Sequence, residues 1–396
     1  MILSLRSIMQ FKQILIALGC AVAACGTALA QSQQGVTKDQ IIIGTIQDLS
    51  GPVAGPGKQA RLGMQLRLDE INEQGGINGR KLVLKVEDSG YDPKRAVLAA
   101  QKLVDQDHIF AMVGHIGSAQ NVATFPVLFD KNVISFLPLS SAREMYEPLH
   151  RLKFGGSSTY YDQMLTAVPK LAKEKAAKKL CAIYQDDEYG LEVLRGAEAG
   201  AQKDGMTLLE KISFKRGATD FSSQVAKTKA ADCDLVALGT VIRETIGVVN
   251  EARKIGFNPT FLASSAAYSD QIHKLGGKPM DGIYAAMTMV CPYIDDESPA
   301  VRAWANKYKA KFNEEPTPYS AYGYMVLGVF ITSAQKAGAN LTTDSFIQAM
   351  DGITIPPDIF GSPELSFSAT KRQGSDKSRL SQIQNGRWKV VSDYLK

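Results

Sequence analysis

The chain has 396 residues with 45 basic and 40 acidic side chains, so its formal net charge at pH 7 is +5. This excess is weak, and no basic stripe interleaves with aromatic residues, so the composition argues against a nucleic-acid partner. The length exceeds what a single hydrophobic core supports, which predicts two lobes.

The first thirty residues have the pattern of an export signal. Arg6 and Lys12 precede an apolar segment over residues 14–24, and residues 28–30 (Ala-Leu-Ala) form the small-residue site that signal peptidase reads. The segment is too short for a stable membrane span, so we expect a periplasmic protein whose charge falls to +3 after cleavage. Alternatively, residues 22–25 fit a lipoprotein cleavage site, which would leave Cys25 lipidated.

Strands and helices alternate from the start of the mature chain. The pattern predicts a strand over 41–46, a glycine-rich loop over 48–57, a helix over 58–74, a strand over 82–87 and a helix over 93–104. The loop lacks the Gly-Lys-Ser/Thr ending of a phosphate-binding loop. The βαβ alternation predicts a parallel sheet, with ligands at the rim formed by the strand ends.

The next unit carries the strongest functional signal. Apolar runs over 109–113 and 133–137 flank a helical pattern over 119–130, so the two strands should be parallel neighbours ending on one rim. The turns over 117–119 and 140–142 then lie together, each at an expected helix start, where free N–H groups favour an anion. We predict a carboxylate site formed by Ser118, Ala119, Ser140 and Ser141. The alternative is that these serines only cap helices.

After residue 158 the same alternation repeats and predicts a second sheet. We expect helices over 160–173, 191–204, 221–230 and 242–255, and strands over 179–184, 207–213, 235–239 and 260–262. The rim of this lobe would present Tyr189, Thr240, Arg243, Ser264, Ser265 and Tyr268, and each of these can contact a ligand or simply belong to a surface loop. The ligand-binding candidates among them are Tyr189, Thr240, Arg243 and Ser265. Tyr189 can stack on a ligand or donate a hydrogen bond, and Arg243 can pair with a carboxylate.

The cysteines and histidines give no catalytic or metal-binding pattern. The mature chain has an odd number of cysteines, and Cys181 and Cys233 lie in or just before strands, which favours buried thiols over a bridge. No Cys-x-x-Cys pair exists and the four histidines are scattered, so we expect no metal and no cofactor. No Gly-x-Ser-x-Gly or His-Glu-x-x-His motif is present, so we expect no enzyme.

Nine short sequence segments resemble those of a known protein family. Sequence segments in the same order along nearly the whole mature chain resemble those of the periplasmic Leu/Ile/Val-binding protein family: 42–44 (IIG), 49–52 (LSGP), 69–72 (DEIN), 75–80 (GGINGR), 88–89 (DS), 92–93 (DP), 113–114 (VG), 187–190 (DEYG) and 318–324 (PYSAYGY).

The resemblance implies an α/β fold with two doubly wound parallel-sheet lobes joined by a three-segment hinge, the type I periplasmic binding fold. The implied lobes are residues 36–155 with 291–358, and residues 156–290 with 359–396, with crossings near 154–158, 289–292 and 356–361. The implied role is that of a monomeric solute-binding protein serving the membrane permease of an ABC importer. The alternative is a sensor that presents its ligand to a receptor or regulator.

The resemblance also assigns residues, and two positions depart from the family. Ser118, Ala119 and Ser141 resemble the family's carboxylate-binding residues, and Tyr189 its aromatic residue from the second lobe. The family's amino-acid binders hold the ligand ammonium with an acidic residue, which we place shortly after strand 260–262, where this chain has no acid before residue 270. The aromatic residue usual in the first loop is also replaced, by Gly-Pro-Gly at 55–57.

The absence of an acidic residue shortly after strand 260–262 limits which ligands the cleft can hold. Burying an ammonium group without a counter-charge is costly. We therefore expect a small carboxylate-bearing ligand, either an amino acid or an aromatic or branched-chain acid that lacks the α-amino group, with Arg243 as a second anchor.

Overall fold

The structure is a computed structural model, and it describes residues 33–395. The predicted export signal over 1–30 and Cys25 lie outside the described residues. In the described part, no helix combines the length and apolar character that crossing a membrane requires. Within the same range, no group of His, Cys, Asp and Glu side chains is arranged to hold a metal ion.

The first sheet has five parallel strands in the order β2-β1-β3-β4-β5. Its strands are β1 (Gln40–Gln47), β2 (Lys81–Asp88), β3 (Ala111–Val113), β4 (Ile134–Phe136) and β5 (Lys153–Phe154). The connecting helices are α1 (Ala54–Glu73), α2 (Pro93–Asp105) and α3 (Ser118–Asp130). All the carboxyl ends of these strands therefore lie on one rim, as the βαβ pattern predicts.

Helices cover both faces of this sheet. On one face, Ile41 and Ile43 pack in a core that includes Met64 of α1. On the other face, Ile46 packs with Leu103 of α2 and residues of α3. Alternate residues of one strand thus enter different cores, which is the packing of a doubly wound sheet.

The glycine-rich loop is shorter than the sequence predicts, because the first helix begins at Ala54 and not at residue 58. The Asp48 carboxylate accepts N–H groups of Gly51 (2.5 Å) and Val53 (2.7 Å) and folds the loop into a tight turn. Gly57 is buried in the first helical turn, where a Cβ would lie 2.0 Å from the Asp48 carbonyl oxygen. These short-range contacts place residues 54–57 in the helix.

The second sheet has seven strands in the order β14-β13-β10-β9-β8-β6-β7. Its parallel strands are β6 (Lys179–Gln185), β7 (Thr207–Phe214), β8 (Leu235–Gly239), β9 (Thr260–Ala263) and β10 (Tyr284–Met287). Helices α4 (Tyr160–Lys175) and α5 (Glu188–Lys203) contribute to the core on one face. Helices α6 (Ser222–Ala230), α7 (Ile242–Lys254) and α8 (Asp270–Gly276) contribute to the core on the other.

The chain returns to the first lobe after β10 and then ends in the second. Helices α9 (Pro299–Phe312), α10 (Pro318–Ala337) and α11 (Thr343–Met350) follow β10, and α10 packs along α1. Strands β11 (Thr354–Ile355) and β12 (Leu365–Ser366) form a separate antiparallel pair. The antiparallel hairpin of β13 (Arg379–Gln384) and β14 (Arg387–Val390) then joins the second sheet beside β10.

The backbone contacts bear on the predicted third crossing. The carbonyl of Phe360 accepts the N–H of Val290 (2.9 Å). The segment 356–361 therefore lies beside the predicted second crossing near 289–292. The N–H of Gly374 instead donates to the carbonyl of Gly155 in the first crossing (2.8 Å). The tail therefore reaches the second sheet only at β13, and we propose that the third crossing lies after Gly374.

The prediction that Cys181 and Cys233 are separate thiols is wrong, because the two residues form a disulfide. Cys181 lies in β6 and Cys233 just before the neighbouring strand β8, which brings their Cα atoms to 5.9 Å. Strand neighbourhood depends on sheet order, which local sequence does not encode. Cys291 remains a free, buried thiol.

Replacing Cys233 with serine is expected to lower the free energy of unfolding by about 2–4 kcal/mol, because the bridge closes a long loop in the unfolded chain. Urea unfolding, with and without a reducing agent, measures the change. Reduction should shift wild type towards Cys233→Ser, and the control Cys291→Ser should stay sensitive to reduction. Equal unfolding midpoints for wild type and Cys233→Ser would contradict the bridge.

Candidate functional site

The first turn of α3 opens into the space between the lobes with its backbone donors free. Its N-cap, Gly117, supplies no capping side chain, and the N–H groups of Ser118, Ala119 and Gln120 have no hydrogen-bond partner in the described chain. The φ of Gly117 is +96°, and a Cβ there would lie 2.1 Å from Gln120 Oε1. An uncapped helix start of this kind attracts an anion through its N–H groups and dipole.

Two serine hydroxyls lie beside this turn. Ser118 Oγ and Ser140 Oγ are 2.8 Å apart, and both residues are buried. Ser140 Oγ also accepts the N–H of Ala142 (3.2 Å). We call the Ser118 and Ser140 hydroxyls and the free N–H groups of α3 the serine cradle. The two rim turns that carry these serines thus meet, as the sequence predicts.

Only one of the two turns begins a helix long enough to contribute a dipole, so the expectation for residues 140–142 is wrong. After Ser141 the chain makes a three-residue 3₁₀ turn, Arg143–Met145. Pro148 follows and disfavours helical backbone at the residue before it. Ser141 still contacts the space between the lobes, and its carbonyl accepts the N–H of Tyr160 (2.8 Å).

On the opposite lobe, Tyr189 lies in the first turn of α5. This helix begins at Glu188, capped by the Asp187 carboxylate, three residues before the predicted start. The Tyr189 hydroxyl donates to the Thr240 carbonyl (2.8 Å) and lies 2.9 Å from Ser264 Oγ. Burial raises the pKa of Tyr189 well above its usual value, so the phenol stays protonated.

Ser265 is oriented by a residue that the sequence did not reveal, Gln163 of α4. Gln163 is fully buried, and its Oε1 accepts the N–H of Ser265 (2.9 Å). Its Nε2 donates to Ser265 Oγ (3.0 Å) and to the Ser158 carbonyl (2.8 Å). Because Ser265 Oγ already accepts a hydrogen bond, its own proton is free to donate.

The structure does not place Thr240 or Arg243 in the lining of the cleft beside Tyr189 and Ser265. Thr240 is fully buried, and its hydroxyl lies 2.6 Å from Thr245 Oγ1. The Arg243 side chain is 48 % exposed and pairs with Glu244 at 3.2 Å. Arg216, which follows β7, is an arginine of the second lobe that does contact the first lobe, at the Tyr91 carbonyl (3.3 Å).

Two adjoining cavities lie between the lobes. The hinge-side cavity lies beside Ser157 and the end of β10, and it is lined by Pro138, Leu139, Ser140, Ser141, Ser157, Tyr160, Ser265, Ala266, Tyr268, Met287, Thr288, Pro318, Tyr319 and Tyr322. The cradle-side cavity is lined by Val53, Tyr91, Ile116, Gly117, Ser118, Leu139, Tyr160, Tyr189, Val241, Ala266 and Tyr319. None of these lining residues is charged.

Four tyrosines that line the cavities were not predicted from the sequence as ligand-binding residues. Tyr91, Tyr160, Tyr319 and Tyr322 all line the cavities, and the rings of Tyr160 and Tyr189 meet edge to face with centroids 4.8 Å apart. Burial raises the pKa of Tyr160 to about 12, and it also raises the pKa values of the other three. Tyr91 follows a strand, and Tyr160 and Tyr319 lie in the first turn of a helix, a signal that could have located these three.

Direct contacts between the lobes show that the structure is closed. Arg143 of the first lobe forms a bidentate ion pair with Glu192 of α5, at 2.9 and 2.8 Å. The Tyr319 hydroxyl donates to the Ala266 carbonyl at 2.8 Å. A more exposed pair, Lys274 and Glu315, joins α8 to the segment before α10 at 3.0 Å.

Two parallel-sheet lobes, a multi-segment hinge and a closed cleft with an uncapped helix start define a two-lobed solute-binding protein. The family model described as "Periplasmic binding protein" matches residues 40–387, and the chain belongs to this family. Proteins of this family act outside the cytoplasm, and they bind solutes and are not enzymes.

Individual relatives are distant but span most of the chain. The Leu/Ile/Val/Thr-binding protein of Salmonella typhimurium is 26 % identical over 306 residues, which cover 77 % of this chain and 81 % of the relative. A fatty acid ABC transporter substrate-binding protein from Thermomonospora curvata superimposes with a TM-score of 0.81 at 23 % identity, covering 92 % and 94 %. A branched chain amino acid ABC transporter protein from Thermus thermophilus with bound valine gives 0.81 at 16 %, covering 91 % and 97 %.

Proposed function

We propose that this protein captures a small carboxylate that lacks an α-ammonium group between its two lobes and delivers it to the permease of an ABC importer. The observation that carries the proposal is the polarity of the cleft. The cavity lining holds no charged side chain, and its free polar hydrogens point to a ligand that accepts hydrogen bonds.

The serine cradle supports the carboxylate. Three free N–H groups and a pair of hydroxyls that share one hydrogen bond leave donors without a partner. A carboxylate has about four acceptor sites and no donor, so it matches this arrangement. Ser265 adds a further donor from the second lobe, because Gln163 already occupies an acceptor site of its hydroxyl.

No acidic side chain of the described residues lines either cavity as a counter-charge for an ammonium group. The first acid after β9 is Asp270, whose carboxylate pairs with Lys274 (2.9 Å) and which does not line either cavity. Ammonium groups need acceptors and, when buried, a counter-charge. An amino acid would therefore bind less favourably than the corresponding acid without the amino group.

The remaining lining favours an apolar ligand body. Tyrosine rings, Leu139, Val53 and Val241 surround the space next to the serine cradle. Such a wall stabilises a branched or aromatic group by burying its apolar surface. The Salmonella relative is named as a binder of leucine, isoleucine, valine and threonine, whereas the Thermomonospora protein is named as a fatty acid binder. These names support a family whose carboxylate ligands differ in the rest of the molecule.

Thermal unfolding of the protein with a ligand panel tests the proposal. The panel pairs leucine and valine with their 2-oxo acids, and benzoate with benzamide as the uncharged control. A ligand at a hundred times its Kd should add about 2.7 kcal/mol of stability. We expect the oxo acids or benzoate to stabilise the protein while their amino or amide partners do not. Stabilisation by the amino acids alone would contradict the proposal.

A further inference from the structure

The loop between β2 and α2 holds a tyrosine in an unusual backbone conformation. Gly90 and Tyr91 have φ values of +54° and +61° in succession. The left-handed region is uncommon for a bulky residue and persists only where its surroundings enforce it. Here the Tyr91 N–H donates to Ser89 Oγ (3.2 Å), and its carbonyl accepts Gln120 Nε2 (2.6 Å).

This conformation puts the Tyr91 ring against the serine cradle. The residue is 5 % exposed and lines the cradle-side cavity. Its Cε2 would lie 3.1 Å from a Cβ on Gly117, so the ring covers the N-cap of α3. A ligand carboxylate in the cradle would therefore have its body next to this ring.

The other lobe contacts the same residue through Arg216. Arg216 Nη1 lies 3.3 Å from the Tyr91 carbonyl oxygen, and the guanidinium carbon lies 5.2 Å from the ring centroid. Asp187 holds Arg216 Nη2 at 2.7 Å and also caps the helix that carries Tyr189. The two contacts between Arg216 and Tyr91 join the lobes across the cleft, so opening the hinge would break them.

We propose, on the basis of the carboxylate-binding function above, that Tyr91 is the specificity-determining residue of the first lobe and couples ligand shape to closure. Its ring contacts the body of the ligand, and the position of that ring and its carbonyl decides whether Arg216 can engage. A ligand body that displaces the ring would cost the Arg216 contacts and with them the closed state.

Titration calorimetry with the protein expressed from the complete sequence tests this assignment. The probes are straight-chain carboxylates from acetate to hexanoate, and benzoate. Tyr91→Asn removes the ring but keeps a residue that tolerates the left-handed backbone, and Tyr91→Phe keeps the ring. Tyr91→Asn should weaken the largest acids at least tenfold but acetate less than threefold, whereas Tyr91→Phe, which keeps the ring, should show no such dependence on ligand size.

Arg216→Gln separates closure from recognition. We expect it to weaken acids that leave the Tyr91 ring in place by at least fivefold, because these acids bind with the Arg216 contacts formed. An acid that displaces the ring has already lost those contacts and should be weakened less, so an equal loss for every acid would refute the coupling. Arg253→Gln is the matched control, since Arg253 also stacks on a ring, that of Phe261 (5.4 Å), but within the second lobe. It should leave every Kd unchanged.

The outcomes distinguish this assignment from the proposed function. If wild type binds the acids but Tyr91→Asn weakens small and large ones equally, or not at all, the role of Tyr91 is refuted and the carboxylate function stands. If wild type binds none of the carboxylates, both fail. Unliganded thermal midpoints of Tyr91→Asn and Tyr91→Phe within a few degrees of each other exclude misfolding as the cause.

Discussion

Replacing Glu192 with glutamine is expected to weaken ligand binding by about tenfold to a hundredfold. Glu192 is 1 % exposed and receives two charge-assisted hydrogen bonds from Arg143, across the cleft. Arg143 also lies over the Tyr161 ring of the second lobe, 4.4 Å from its centroid. Truncating one partner of a buried charge pair costs about 2–5 kcal/mol. Glutamine retains one hydrogen bond, so we expect a smaller loss.

The reason for this effect is closure and not ligand contact. The hydrogen bonds between Arg143 and Glu192 break when the lobes separate, so this ion pair stabilises only the closed state. Binding that requires closure weakens as the competent state becomes less populated. The Glu192→Gln variant should therefore lose affinity for every ligand and should also show a larger radius of gyration in small-angle scattering without ligand.

A matched control lies on the same helix. Glu198 of α5 forms an ion pair with Lys211, which belongs to the same lobe. Glu198→Gln should leave the ligand Kd and the radius of gyration unchanged. Wild-type affinity in Glu192→Gln, or equal losses in the two variants, would show that the Arg143 pair does not contribute to closure.

Removing the serine hydroxyls of the cradle is expected to have a second large effect. A hydrogen bond to a charged group contributes about 1.5–3 kcal/mol. Ser118→Ala should weaken carboxylate binding about tenfold, and the double variant with Ser140→Ala about a hundredfold. Ser140→Ala alone completes a double-mutant cycle that measures the coupling between the two hydroxyls, which are hydrogen-bonded to each other at 2.8 Å.

Ser135→Ala provides the control for this experiment. Ser135 lies in β4 of the same lobe, is 1 % exposed, and its hydroxyl has no partner in the described chain. Its replacement should leave ligand binding unchanged. If the double cradle variant keeps wild-type affinity for the acids, the anion site lies elsewhere in the cleft.

Much of the fold could be predicted from local pattern. The order of strands and helices is confirmed, and strand 235–239 matches β8 residue for residue. Buried parallel strands are short apolar runs, and helices begin at recognisable caps, so both leave a local signal. Two errors have causes that hydrophobic periodicity does not show: the Asp48 carboxylate folds the first loop so that the helix begins early, and sheet order brings Cys181 to Cys233.

The site was predictable on one lobe and much less so on the other. Ser118 and Ser140 follow neighbouring parallel strands, so topology alone brings them together. On the second lobe, which side chain faces the cleft depends on where each helix begins and how the lobes close. Arg243 therefore proved exposed, and the contact of Arg216 with the first lobe became visible only in three dimensions.

The most direct test of the account is a calorimetric titration of 4-methyl-2-oxopentanoate against leucine, two ligands that differ only in an oxo or an amino group beside the carboxylate. A cleft that offers hydrogen-bond donors and no counter-charge predicts that the oxo acid binds at least tenfold more tightly. Tighter binding of leucine would contradict the central claim, because it would require an ammonium site that the described cavities do not contain.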